Sequence, residues 1–249
     1  MNLLLDLGNS RLKWVCVENE QFLPVQSLPN TQITCPALIS CWQDLKPEKI
    51  AISCVGNIEL QQIIAATIEQ LWGDISPYFA KSQAQTNGVI NGYSQPEKLG
   101  VDRFLALIAA KQKTDFPICV VDCGTAITID VLNEKGEHQG GLICPGLSLM
   151  KKALALNTAD LPLVDIAKND GLARDTQAAI FNGTLYAACG LIEKVMIQLP
   201  ENTQLFLTGG DAKQISLQLS RPFLLENDLV LQGLNRVAFQ SVTTLKTST

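Results

Sequence analysis

Two short turns, half a chain apart, restrict what this sequence can fold into more than any other feature of it. Ile118 to Leu132 reads ICVVDCGTAITIDVL: an apolar run, Asp122, the turn Cys123-Gly124-Thr125, then alternation through Ala126, Ile127, Thr128, Ile129 and Asp130. An apolar run predicts a buried strand, and period-two alternation predicts its hairpin partner. The start of the chain repeats the pattern. Leu3-Leu4-Leu5 leads to Asp6, the turn runs through Leu7-Gly8-Asn9-Ser10, and Leu12 to Val17 supplies the second strand. Asp6 to Asp122 and Gly8 to Gly124 share an offset of 116 residues in a chain of 249. One Asp-x-Gly turn closes many ordinary hairpins. Two of them, each after a hydrophobic strand, predict a duplicated α/β unit whose phosphate-gripping hairpins face each other across a cleft. The expected domains are residues 1–114 and 115–249.

The rest of the chain fits that plan. Lys49 to Val55 reads as a buried strand ended by Gly56, followed by a helix with Leu60, Ile63, Ile64, Ile68 and Leu71 inward. Gln204 to Thr208, closed by Gly209-Gly210-Asp211, mirrors it in the second half. Glu18 to Leu28 is expected to add a third strand, and Ala37 to Leu45 a helix stopped before Pro47. Residues 81–97 are polar and loop-like, and loops of that length are more often functional than idle. They lead to Gly100-Val101-Asp102-Arg103 at the head of a helix. His138 reads as a solvated turn residue. After Pro145-Gly146 a helix is expected to turn Leu147, Met150, Leu154 and Leu156 inward. Asn157 to Asp175 reads as a second loop, followed by a long apolar helix from Thr176. A late strand near Pro222–Leu225 and the segment Leu229–Ala238 finish the fold, with a frayed tail from Ser241 to Thr249.

Composition removes several classes of function. A net charge of −5 without a run of Lys or Arg disfavours nucleic acid as the principal ligand. The 8 cysteines are scattered with no Cys-x-x-Cys and a single histidine, so they read as free thiols, mostly buried, in a reducing cytosol. Asp6 interrupts the apolar start, so no signal peptide is expected, and Thr176 to Ile192 is too polar to span a bilayer. A cytoplasmic protein with no membrane partner is the expectation. With 47% hydrophobic and 17% charged residues, further burial in an oligomer is also expected.

These parts suit a nucleoside triphosphate. Phosphoryl transfer demands charge neutralisation and alignment more than covalent chemistry. Asp6 can carry Mg²⁺ directly or through water, since Mg²⁺ takes few carboxylates and keeps most of its waters. Gly8, Asn9, Ser10 and Thr125 can cradle phosphates with N–H groups and hydroxyls, and Lys13 can add a point charge. The sequence has no Gly-x-x-x-x-Gly-Lys-Ser/Thr and no Gly-x-Gly-x-x-Gly, which removes P-loop and dinucleotide-binding folds as first choices. Asp102 beside Arg103 offers a carboxylate base and a guanidinium fork for an anionic acceptor. An Asp in the first turn of a helix also has a plain electrostatic use against the helix dipole.

Read together, Asp6-Leu7-Gly8-Asn9-Ser10 with Lys13, Tyr93 with Pro96, Leu99 to Arg103, Asp122 to Ala126, Thr128 with Asp130, Gly140-Gly141, Pro145-Gly146, Thr158-Ala159 with Leu161-Pro162, Thr176 and Thr208 to Ala212 resemble the type III pantothenate kinases. That family lies in the superfamily of actin and the acetate and sugar kinases. The resemblance implies two ribonuclease H-like α/β domains and transfer of phosphate from ATP to pantothenate, the first step towards coenzyme A. It implies that residues 6 to 13 (Asp6, Leu7, Gly8, Asn9, Ser10, Arg11, Leu12, Lys13) and Thr125 hold ATP, and that Asp102 is the proton acceptor. It further implies that Tyr93, Gly100, Val101, Asp102, Arg103 and Thr176 hold pantothenate. Asp122 is implied to bind a monovalent cation, K⁺ or NH₄⁺, with Mg²⁺ accompanying ATP, in a homodimer. Ser10 stands where the family often has Thr, and Asp175 where Asn or Ser is commoner. Two other readings share the fold: a kinase for another small hydroxy acid or sugar, and a nucleotide-binding accessory protein of transcription without kinase activity.

Overall fold

The computed structural model describes residues 1–165 and 171–240, so Asp170 of the second predicted loop and the tail 241–249 lie outside the described residues. In the first half, β1 (Asn2–Leu7), β2 (Arg11–Glu18), β3 (Gln21–Phe22), β4 (Gln26–Pro29), α1 (Cys35–Trp42), β5 (Lys49–Cys54), α2 (Ile58–Trp72), β6 (Tyr78–Phe79), the small hairpin β7 (Gln85–Thr86) and β8 (Val89–Ile90), and α3 (Val101–Lys111) follow in order. The second half brings β9 (Ile118–Cys123), β10 (Ala126–Leu132), β11 (His138–Pro145), α4 (Leu147–Asn157), α5 (Thr176–Met196), β12 (Gln204–Thr208), α6 (Ala212–Ser216), β13 (Leu224–Leu225) and α7 (Leu229–Phe239).

The duplication is explicit in the strand order. The first sheet runs β3-β2-β1-β5-β6 and the second β11-β10-β9-β12-β13, position for position. In each, the aspartate-bearing strand pairs antiparallel with the strand leaving its turn, and parallel with a later strand, β5 or β12. Gly56 and Gly209, which close β5 and β12, share a left-handed backbone with φ of 97° and 92°.

Alternation decides which face each side chain meets. Leu3, Leu5 and Leu7 of β1, Leu12 and Trp14 of β2 and Ile50 and Ile52 of β5 build one core with Leu38 and Trp42 of α1 and Ile64 and Ile68 of α2. Trp42 contacts Trp14 edge-on at 5.9 Å and stacks on Trp72 at 6.2 Å. Leu4, Asp6, Lys13, Ala51 and Ser53 take the other face, where α3 and α7 pack. The second core joins Cys119, Val121, Ile127, Ile129, Leu205 and Leu207 to α5 and α6.

The described residues separate into two compact units, residues 1–113 with those from Leu229 to 240, and those between Thr114 and Asp228. The predicted second domain, 115–249, therefore ends earlier than expected. The reason is that α3 is apolar nearly all round, with Phe104 to Ala110 buried, and needs a second helix. Helix α7 supplies it, and Gly233 lets the backbones meet: a Cβ there would lie 2.6 Å from the carbonyl carbon of Leu105.

Three local expectations differ. Glu18 to Leu28 turns back on β2 through Asn19 and Glu20, both with positive φ, and the expected third strand is interrupted: β3 and β4 run in the same direction along β2 with a one-residue shift of register between them. His138 is not a solvated turn residue; it lies on β11, buried, with its Nε2 2.9 Å from Oδ1 of Asp130. Leu156 points outward at 82% exposure. No helix among the described residues is long and apolar enough to cross a membrane.

Candidate active site

The first turn is held from both sides. Gly8 N–H donates to the Arg11 carbonyl at 3.1 Å, which closes the hairpin. The Asn30 amide donates to the Gly8 carbonyl at 2.9 Å, and Asn30 N–H to the Ser10 carbonyl at 2.9 Å. Val55 N–H donates to Leu7 at 3.1 Å. Asn9, Ser10 and Arg11 are left exposed, while Leu7 and Leu12 anchor the turn in the core. Asp6 is half-buried, and Lys13, also half-buried, is its Cα partner across the antiparallel ladder. Directly opposite residues share a face, so a carboxylate and an ammonium stand together at the mouth of the turn. Burial pushes the Cys54 thiol up, with the Asp6 charge adding to it.

The same unit carries the predicted acceptor residues. Asn91 orders the polar loop: its amide donates to the carbonyls of Gln83 at 3.2 Å and Pro96 at 3.0 Å, and its side-chain oxygen accepts from Tyr93 N–H at 3.0 Å. Tyr93 is thereby delivered to the head of α3, where its hydroxyl accepts from the Arg103 guanidinium at 3.0 Å. Arg103 is 7% exposed. Asp102 folds over its own backbone, accepting from Arg103 N–H at 2.8 Å, and a Cβ on Gly100 would lie 2.6 Å from its Oδ1. Tyr93, Gly100, Val101, Asp102 and Arg103 thus form one cluster. Nothing in the sequence pairs Tyr93 with Arg103; their proximity is set by the Asn91 bridge.

In the second unit, the Asp122 turn is packed against two glycines. The Gly124 N–H donates to Ala126 at 3.2 Å and Gly146 N–H to the Thr125 carbonyl at 2.9 Å. A Cβ on Gly146 would collide with the Gly124 carbonyl, and one on Gly209 with Asp122 Oδ1. Asp211 N–H donates to the Cys123 carbonyl at 2.9 Å. Burial pushes the Asp211 carboxyl up, and Lys151 opposes the shift. Lys151 is itself buried, with its ammonium 5.2 Å from the Phe181 ring centre, a residue that the sequence offered no reason to select. Burial, with Asp122 and Asp211 adding to it, pushes the Cys123 thiol up, which disfavours the thiolate there. All 8 cysteines are free.

Thr176 is exposed in the first turn of α5, and Asp175 caps that helix by accepting from Ala178 N–H at 2.9 Å. Asn, Ser and Asp all serve as N-caps, so the substitution at Asp175 keeps the local structure. A cavity of about 310 Å³ is lined by Met196, Thr203, Arg221 and Phe223 among others, and by none of the predicted site residues.

Among the described residues no group of three or more His, Cys, Asp or Glu could hold a metal. The donor chemistry nonetheless fits the expected ions one carboxylate at a time. Asp6, at the start of the turn that carries the exposed Ser10, offers a hard oxygen for Mg²⁺, whose remaining ligands are water and phosphate. Asp122 Oδ1 and the Cys123 carbonyl oxygen both border Gly209, a pair of hard oxygens that suits a larger cation.

A family model for type III pantothenate kinases matches residues 2–198. A type III pantothenate kinase from Nitrosococcus oceani is 35% identical, the match covering 96% of this chain and 94% of that protein. One from Acinetobacter baumannii is 37% identical, over 94% and 96%. Among solved structures, a protein assigned to the Baf family of transcriptional activators from Campylobacter jejuni superposes with a TM-score of 0.61 at 22% identity, over 94% of this chain and 96% of that one. A protein assigned as a 2-dehydro-3-deoxygalactonokinase from Sinorhizobium meliloti gives 0.61 at 13% identity, over 100% of each. At such identities these two likenesses show the fold, that of the actin-like and sugar kinases, and no more.

Proposed function

The chain belongs to the type III pantothenate kinase family, and we propose that it transfers the γ-phosphoryl group of ATP to the hydroxyl of pantothenate with Asp102 as the base. The observation that carries this reading is the Tyr93–Arg103–Asp102 cluster: a buried guanidinium pinned by a phenol, with a carboxylate on the adjacent residue. Arg103 and Tyr93 hold the anionic acceptor, and Asp102 takes the proton of the attacking hydroxyl. The turn Asp6 to Lys13 aligns the phosphates through N–H groups, the Ser10 hydroxyl and the Lys13 charge, while Arg11 and Leu12 shape and anchor it. For Thr125 and Thr176, the match to the type III pantothenate kinase family is what supports a contact to ATP and to pantothenate. When bound, Mg²⁺ at Asp6 neutralises phosphate charge.

A panel of acceptors tests the substrate. ADP release with pantothenate, and none with sugars or other hydroxy acids, is the expected result; release with a sugar alone would replace the acceptor. The transcription-related reading gains nothing from the Campylobacter likeness, which shows fold alone, and an intact Asp102 cluster favours the kinase.

We further propose that Asp122 holds K⁺ or NH₄⁺. Asp122→Asn is expected to remove most of the stimulation by potassium, read as ADP release across a potassium titration. An unchanged titration would reject the site. The homodimer is supported by Leu142 and Ile143 on the edge strand β11 and Leu149 and Leu156 on α4, 40% to 82% exposed. An apolar sheet edge invites a partner; a sedimentation mass of one chain would contradict the dimer. A cytoplasmic location is supported by the free cysteines and checked by cell fractionation.

A further inference from the structure

In each half, the strand running parallel beside the aspartate strand puts a hydroxyl residue in register with the aspartate. Ser53 is the partner of Asp6, and Thr208 is the partner of Asp122. Partners on adjacent strands project to the same face about 4.8 Å apart. Both are inside the protein, Ser53 at 0% and Thr208 at 3% exposure. Ser53 Oγ is buried without a hydrogen-bond partner among the described residues. A hydroxyl in that state costs stability relative to an apolar side chain of the same size. The neighbours Ala51 and Ile52 show that β5 accepts apolar residues here. The serine therefore has no use in packing, and the one ionic group in its row that can accept its proton is Asp6, with the cationic Lys13 beyond.

We propose that Ser53 is a positioning residue for Asp6. With Mg-ATP on the turn, its hydroxyl donates to the Asp6 carboxylate and holds that carboxylate in place. Ser53 is too deeply buried to touch a ligand, so it acts through the carboxylate. Hydrogen bonds behind a metal-binding carboxylate are worth about 10- to 100-fold in metal affinity or activity. The inference rests on the reading that Asp6 holds Mg²⁺, and the test separates the two.

Calorimetric titration of ATP at varied Mg²⁺, together with the Tm of the ligand-free protein, is the measurement. Ser53→Ala is expected to raise the ligand-free Tm by about 2 °C and to weaken magnesium-dependent ATP binding by about 10-fold. Ser53→Thr and Ser53→Val have matched volumes, so packing affects them alike; Thr is expected to keep the magnesium dependence and Val to lose it. A lowered Tm for Ser53→Ala with unchanged magnesium dependence, or equal behaviour of Thr and Val, would overturn the inference. Asp6→Asn is the control. If it weakens magnesium-dependent binding while the Ser53 variants do not, the positioning role fails and the metal reading stands. If it too changes nothing, the metal reading fails and takes the positioning role with it.

Discussion

Asp102→Asn is expected to lower pantothenate-dependent turnover by a factor of about 10² or more while the protein stays folded and binds ATP normally. Asparagine has the shape of aspartate, and its side-chain oxygen can still accept the 2.8 Å bond from Arg103 N–H. The packing of Gly100 against that side chain is equally preserved. What the substitution removes is the capacity to take a proton. The competing account, in which Asp102 merely faces the positive end of α3, predicts something different: a loss of stability of about 0.3–1 kcal/mol and turnover near normal. Measuring kcat and Tm on the same preparation therefore separates a base from a helix-end charge. Turnover near normal in folded Asp102→Asn rejects the catalytic role.

Gly209→Ala is expected to damage the second turn as a unit. Gly209 has φ of 92°, where a side chain is strained, and a Cβ would lie 2.6 Å from the carbonyl carbon of Cys123 as well as against the Asp122 carboxylate. The backbone atoms cannot rotate away as a flexible side chain can. Strain and overpacking together cost about 2–4 kcal/mol, which for a chain of this size lowers Tm by roughly 4–16 °C. Because the displaced atoms belong to Asp122 and Cys123, weaker potassium stimulation is expected with the loss of Tm. Unchanged Tm and unchanged potassium response would show that Gly209 does not hold this turn.

The duplicated plan was legible because each half announces itself locally. Leu3 to Asp6 and Ile118 to Asp122 are apolar strands that end in an aspartate and a glycine turn, and the registers observed follow from that alternation. Helix α7 was not legible as part of the first unit. Its packing against Leu105 joins residues more than a hundred positions apart, and no local pattern encodes such a choice. The burial of His138 is hidden from the sequence for a related reason. Beside Asn133 to Glu137 it looks like turn sequence, yet Asp130 lies across the ladder and supplies a buried partner that makes its burial tolerable. At the site, the residue types of Asp6, Asp102, Arg103 and Asp122 could be read from their turns and helix ends. The Tyr93–Arg103 bond and the burial of Ser53 could not, since both depend on where the loop and sheet place atoms.

The most direct test of the account is ADP release from Mg-ATP with and without pantothenate, in potassium and then in sodium buffer. Release is expected to require pantothenate and to fall when sodium replaces potassium. No release with pantothenate in potassium buffer, from protein shown to be folded, would contradict it.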